Sequence, residues 1–96
     1  MVGGLKIVQA KRGHEAEFEA LFGELREVML TRETGCIVYS LLKSRTEKGA
    51  YIVHEQYVDQ AALDLHQKSP HGAEYFPRMR AVIDSIKVEY FDGVVP

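Results

Sequence analysis

Two histidines and a glutamate near the middle of the chain are the residues best suited to proton chemistry. His66 and His71 flank a Ser-Pro step, and Glu55 lies in the β-prone segment that precedes them. Because imidazole titrates near neutral pH, a carboxylate and two imidazoles in one cleft between a helix and a sheet can abstract or transfer a proton. Spacing alone nevertheless favours a structural role, in which His66 is a partly buried helix residue and His71 lies beside a helix cap.

A second group could form the walls of a pocket for a flat ligand, and it comprises Tyr39, Tyr51, Tyr57 and Tyr75. Tyrosines more often belong to a core or an interface in which their hydroxyls find partners, so both interpretations stay open. His54 directly precedes Glu55 and is a further candidate for the pocket or for an interface.

The sequence predicts no built-in metal site and no cofactor. His66 and His71 are five residues apart across a chain break, whereas a helical metal-binding pair is spaced i, i+4, and any further ligands would have to come from elsewhere. Cys36 is the single cysteine, which excludes an intramolecular disulfide framework and indicates a buried small hydrophobe. The sequence contains no phosphate loop, dinucleotide fingerprint or nucleophile elbow.

Length and composition favour one small globular domain over residues 1–96. The chain has a formal net charge of -2 and 46% hydrophobic residues, which argues against a nucleic-acid partner and against disorder. No apolar run approaches the roughly 20 residues that span a bilayer, and the N-terminus lacks a charged segment followed by an apolar one. We therefore expect a cytoplasmic protein with no membrane partner.

Hydrophobic periodicity predicts the elements that must position these residues. The spacing indicates strands over residues 5–8, 36–42, 50–58 and 86–90, and helices from residue 15 to a left-handed C-terminal glycine at Gly35 and over residues 60–67. Ser69 and Pro70 can begin a further helix, which we expect Pro77 to kink or split. The order predicts an α+β fold with a ferredoxin-like βαββαβ unit, in which both helical regions cover one face of an antiparallel sheet.

Both faces of that sheet are apolar in the predicted pattern. Alternation along the third strand places Tyr51, Val53, Glu55 and Tyr57 on one face and Ile52 on the other. Because a small chain cannot cover two apolar faces with one layer of helices, the sequence predicts a homodimer that packs sheet against sheet.

Residues 55–71 carry a pattern that resembles the antibiotic biosynthesis monooxygenase domain. The pattern is Glu55, an aromatic residue at Tyr57, a helix capped by Asp59 and ending in His66, and then Ser-Pro-His at residues 69–71. The resemblance extends over almost the whole chain. It implies a dimeric α+β barrel built from two ferredoxin-like units, with a pocket between sheet and helices in each chain.

The resemblance also implies a range of activities. The family includes cofactor-free oxygenases, haem-degrading enzymes and enzymes that process a phosphorylated signal. The haem-degrading branch is disfavoured, because Lys6, His66 and Phe76 stand where it carries Asn, Trp and His. The family aromatic is often Trp, whereas this chain has Tyr57 and no tryptophan.

By this resemblance we expect a homodimeric, cofactor-independent monooxygenase-like oxidoreductase that acts on a phenolic or quinol-type molecule. His66 and His71 would be base or orienting groups, Glu55 would fix their protonation, and Tyr51 and Tyr75 would be pocket walls. One alternative is an isomerase or degrading enzyme for a small phosphorylated signalling molecule, which would work without oxygen. Another is a non-enzymatic ligand-binding dimerisation module, favoured if the three polar residues do not converge on an open cleft.

Overall fold

A computed structural model describes residues 1–95, and its elements follow the predicted order. They are β1 (Val2–Ala10), α1 (Glu15–Arg32), β2 (Cys36–Lys43), β3 (Ala50–Tyr57), α2 (Gln60–Gln67), α3 (Pro70–Arg80) and β4 (Ile83–Asp92). The strands form one sheet in the order β2-β3-β1-β4, and each neighbouring pair is antiparallel. This topology confirms the predicted ferredoxin-like α+β fold.

Side-chain caps define where α2 and α3 begin. The Asp59 carboxylate accepts a hydrogen bond from the Ala62 N–H at 2.9 Å, and the Ser69 hydroxyl accepts one from the Gly72 N–H at 3.1 Å. Each cap satisfies an N–H group that the first helical turn leaves without a partner.

Within residues 1–95, no helix is both long enough and apolar enough to cross a membrane.

The structure differs from two local predictions about the helices. Pro77 does not split α3, because the proline removes only its own N–H donor and the Ala81 N–H still donates to the Pro77 carbonyl at 3.1 Å. α1 ends at Arg32, followed by an extended Glu33 backbone, so Gly35 is not a left-handed cap. Gly35 serves close packing instead, since a Cβ there would lie 2.6 Å from the Ala62 Cβ on α2.

The helices cover one face of the sheet, which we call the inner face. Val8 of β1 pairs with Tyr51 of β3, and these two side chains are buried beneath α1 residues such as Phe18 and Leu25. On β4, by contrast, the inward residues Ile86, Val88 and Tyr90 are 42–48% exposed. The inner face is therefore closed over β1 and β3 and open at the β4 edge.

The opposite, outer face carries exposed apolar side chains, as the strand alternation predicts. They are Leu5, Ile7, Leu42, Ile52 and Phe91. Ile7 and Ile52 are cross-strand neighbours at the centre of the sheet, and Ile7 is 57% exposed. An apolar group of this size in the middle of a sheet is a surface that a partner usually covers.

Candidate functional site

A cavity of about 340 Å³ lies between the sheet and the helices on the inner face, and we call it the main cavity. Most of its lining is apolar. Its walls include Lys6, Val8, Tyr39, Val53, His66, Phe76, Met79, Arg80, Ile86, Val88 and Tyr90. A mostly apolar cavity with a few polar groups is typical of a small-molecule site.

His66 is a buried histidine that lines the main cavity. α2 places its ring among the rings of Tyr39, Tyr57 and Phe76, with centroid distances of 5.4–5.7 Å. Its Nδ1 lies 3.0 Å from Oε2 of Glu33, whereas its Nε2 is buried without a hydrogen-bond partner among residues 1–95. The ring is therefore held by one nitrogen, and the other has no partner among the described residues.

Glu33 joins the two predicted histidines. Its Oε2 contacts both His66 Nδ1 and His71 Nε2, and the side chains of all three residues are at most 10% exposed. A carboxylate can only accept, so both nitrogens that face it carry protons. With both rings neutral, the lone pairs lie on His66 Nε2 and His71 Nδ1.

The sequence reasoning did not select Glu33. One local signal was available, because a negative charge directly after the last turn of a helix opposes the helix dipole and is unfavourable there without a partner. The two histidine N–H groups compensate this arrangement. An acidic residue directly after a helix C-terminus is therefore a candidate hydrogen-bond partner for histidines elsewhere in the sequence.

Glu55, which the sequence reasoning assigned to the histidines, instead pairs with Lys6. The Lys6 Nζ lies 3.2 Å from Oε2 of Glu55, and the carboxylate is fully buried. The contact is an ion pair by distance, but neither oxygen of Glu55 has a partner with hydrogen-bond geometry in the described chain. Among the described residues, the carboxylate that contacts the two histidines is that of Glu33 and not that of Glu55.

The buried charge of Glu55 affects the neighbouring tyrosines. Burial, and after it the charge of Glu55, raises the pKa of Tyr39 and of Tyr57 well above the usual range for phenols. Both hydroxyls therefore stay protonated, and that of Tyr57 is buried without a hydrogen-bond partner among residues 1–95. Tyr39 lines the main cavity, whereas Tyr57 is fully buried behind it.

The remaining predicted pocket residues lie elsewhere. The Tyr51 hydroxyl donates to Glu19 at 2.6 Å, and the Tyr75 hydroxyl donates to Glu24 at 3.3 Å. Neither ring lines the main cavity. His54 lies on the outer face, beside a groove formed by the N-terminal strand and residues 91–95.

His71 lines a second cavity, of about 360 Å³, whose wall also includes Glu33. This second cavity is formed by residues of the α1–β2 connection, α2 and the start of α3, and includes Glu33, Cys36, Ser69 and His71. His66 therefore lines the main cavity and His71 lines the second cavity, and both contact the carboxylate of Glu33. Of the three predicted catalytic residues, only His66 lines the main cavity.

Cys36 borders the second cavity but is a poor nucleophile. Burial, together with the charges of Glu33 and Glu55, raises the pKa of the Cys36 thiol to about 11. Its Sγ contacts the Val38 carbonyl at 3.4 Å. Because the thiolate is the reactive form, these surroundings favour a structural role for the thiol.

The fold and the site together define an α+β protein with an apolar cavity that presents one buried imidazole. The antibiotic biosynthesis monooxygenase family model matches residues 1–78. The chain belongs to this family.

Solved structures are similar to this chain over nearly its whole length. A candidate antibiotic biosynthesis monooxygenase from Caulobacter crescentus is 30% identical, with a TM-score of 0.93 over 98% of this chain and 90% of that one. A conserved protein from Methanosarcina mazei is 26% identical, with a TM-score of 0.88 over 94% of this chain and 89% of that one. No curated protein matches the chain.

Proposed function

We propose that the protein is a homodimeric, cofactor-independent monooxygenase that oxidises a phenolic or quinol-type molecule in the main cavity. The observation that carries this proposal is the state of His66. The residue lines the main cavity, its Nε2 is buried without a hydrogen-bond partner in residues 1–95, and its Nδ1 is held by Glu33. This is the arrangement of a general base whose tautomer is set by a carboxylate behind it.

The base makes an oxygen reaction feasible without a cofactor. When His66 Nε2 takes the proton of a phenolic hydroxyl, the resulting anion can pass electrons to oxygen. For a hydroquinone, one oxygen atom enters the ring to give a hydroxyquinone, and the other leaves as water. The substrate supplies all four electrons that reduce the oxygen molecule, so no external reductant is required.

The cavity wall supports an anionic intermediate. Lys6 and Arg80 both line the main cavity and place positive charge beside a developing phenolate. The Lys6 ammonium is anchored by Glu55 and lies 5.9 Å from the centroid of the Phe76 ring. The apolar remainder of the wall lowers the polarity around the reactive anion.

Oxygen uptake with a panel of hydroquinones tests the proposal. We expect His66→Ala to lower turnover by about 100-fold or more, the usual contribution of a general base. His14→Ala is the matched control, because His14 is an exposed histidine at the start of α1. Equal rates in the wild type and His66→Ala would remove His66 from the mechanism.

The dimer part of the proposal rests on the outer face. We expect Ile7→Lys to place a charge in the middle of the sheet contact and to convert the dimer to a monomer in light scattering. Leu65→Lys is the control, because Leu65 is 72% exposed but lies on α2, away from the outer face. A wild-type protein that is monomeric at micromolar concentration would refute the dimer.

A second candidate is proton transfer on a small phosphorylated molecule. It is supported by Lys6 and Arg80, two cations at the wall of the same cavity that could hold a phosphate. In this reaction His66 would move a proton beside a carbonyl group. Turnover of such a substrate under strictly anaerobic conditions would favour this function over the oxygenase.

A further inference from the structure

We propose that Glu33, His66 and His71 form a binding site for a divalent transition-metal ion of the zinc class. The candidate ligand atoms of the three side chains all lie within 4.8 Å of one another. The residues come from the end of α1, from α2 and from the first turn of α3. The site is therefore assembled by the tertiary fold, which is why the His66–His71 spacing did not indicate it.

The donor set selects the class of ion. Two imidazole nitrogens and one carboxylate oxygen suit zinc and its first-row neighbours, whereas magnesium and calcium prefer oxygen ligands. Ligand atoms bound to one tetrahedral zinc lie about 3.3 Å apart, as follows from zinc–ligand distances of about 2.0 Å. The His66 Nδ1–Glu33 Oε2 distance of 3.0 Å is close to that value, and the His71–Glu33 contact would lengthen when an ion enters.

The charge balance around Glu33 also favours an ion. Its ion-pair partners within residues 1–95 are the two imidazoles, and neither a lysine nor an arginine contacts it there. Its second oxygen, Oε1, is buried without a partner. A divalent ion would compensate the buried negative charge and could use both carboxylate oxygens.

The ligands are held before an ion arrives. Tyr39, Tyr57 and Phe76 surround the ring of His66, and the Ser69 cap fixes the turn that carries His71. The second cavity borders Glu33 and His71 and offers room for a water ligand. Ligands whose positions are set by the fold lose little freedom on binding.

Occupation of this site has a consequence that rests on the proposed function. An ion on His66 Nδ1 requires the lone pair of that nitrogen, so the ring proton moves to Nε2. The Nε2 atom, which the proposed reaction uses as its base, then becomes a donor and can no longer accept a substrate proton. The ion would therefore inhibit the oxygenase reaction.

Metal binding is tested first without any reference to activity. Chelator-treated protein is titrated with Zn²⁺ by calorimetry and with Co²⁺ by visible absorption. We expect one ion per chain, and at least tenfold weaker binding in Glu33→Gln and His71→Ala, since even groups behind the ligands contribute about that much. His14→Ala should bind as the wild type does. Equal weakening in His14→Ala, or no binding by the wild type, would overturn the site.

A measurement on the wild type covers the case in which a variant does not fold. The chain has four histidines, and Co²⁺ should shift or broaden the ring NMR signals of His66 and His71 while those of His14 and His54 remain. Perturbation of His14 or His54 instead would overturn the proposal. If Zn²⁺ binds as expected but leaves turnover unchanged, the metal site stands and the base role of His66 fails. If Zn²⁺ does not bind, the metal site fails and the proposed oxygenase is unaffected.

Discussion

Replacement of Gly35 by alanine tests how the fold brings Glu33 to the histidines. A Cβ at Gly35 would lie 2.6 Å from the Cβ of Ala62 on α2, whereas ordinary van der Waals contact begins at 3.4 Å. Neither atom is at the end of a flexible side chain, so the backbone must move by about 0.8 Å, the difference between these two distances. Overpacking of this kind costs about 1–3 kcal/mol of unfolding free energy.

The same displacement should disturb the site. If α2 moves away by this amount, the His66 Nδ1–Glu33 Oε2 distance of 3.0 Å grows beyond hydrogen-bond range. We therefore expect Gly35→Ala to lose stability, and also to lose turnover and zinc affinity. The assay is urea unfolding at a fixed chain concentration, because a dimer would make stability depend on concentration.

Gly23→Ala is the matched control for this prediction. Gly23 lies within α1, and a Cβ there would have no neighbour within 4 Å. Alanine should therefore stabilise the helix by about 0.5–1 kcal/mol and leave the site unchanged. The φ of Gly35 is not positive, so any loss in Gly35→Ala is steric. Wild-type stability and turnover in Gly35→Ala would refute the reasoning.

Three further predictions follow from the local surroundings of single residues. The pKa of about 11 at Cys36 implies about 100-fold less thiolate at pH 8 than an ordinary cysteine has, so Cys36 should react with a disulfide reagent about 100-fold more slowly than a free peptide thiol. Tyr51→Phe removes the hydrogen bond to Glu19 and should cost about 1 kcal/mol at pH 7 in urea unfolding. Asp59→Ala removes the cap of α2 and should cost about 1 kcal/mol, also measured by urea unfolding.

The stability lost in Tyr51→Phe should also depend on pH, and the direction of this dependence follows from the pKa of Glu19. The hydrogen bond from Tyr51, and then that from Lys43, lowers the pKa of Glu19 below 4.5 in the folded protein. A carboxyl with a lowered folded pKa adds stability above its unfolded pKa, and this stability is lost as the pH falls through the folded value. The difference between wild type and Tyr51→Phe should therefore shrink below pH 4.5. A difference that stays constant down to pH 3 would contradict the assignment.

The predictions for Cys36 and Asp59 can each be contradicted by one measurement. Rapid modification of Cys36 in the folded protein would show that burial does not suppress its thiolate. Asp59→Asn keeps a side-chain oxygen that can cap and should retain most of the stability. If Asp59→Asn and Asp59→Ala lose the same amount, the carboxylate acts by its charge and not as a hydrogen-bond acceptor.

Local patterns in the sequence were sufficient to predict the elements and their faces. The period of two along β3 placed Tyr51, Val53, Glu55 and Tyr57 on one face, and all four are buried. The failures at Gly35 and Pro77 have a common reason. The sequence shows that a glycine or a proline changes the local backbone preferences. Whether a helix ends there depends on the contacts with neighbouring elements.

The sequence alone determined which face of each element its residues occupy, because side-chain direction follows from the helical and strand periods. Only the tertiary structure decided which polar groups meet. Glu33 and His66 are 33 residues apart in the chain, and their contact depends on how α1 and α2 lie on the sheet. The same placement directs Glu55 to Lys6 and leaves His66 as the imidazole of the main cavity. Periodicity does not encode the relative position of two helices, so no local pattern could have paired these groups.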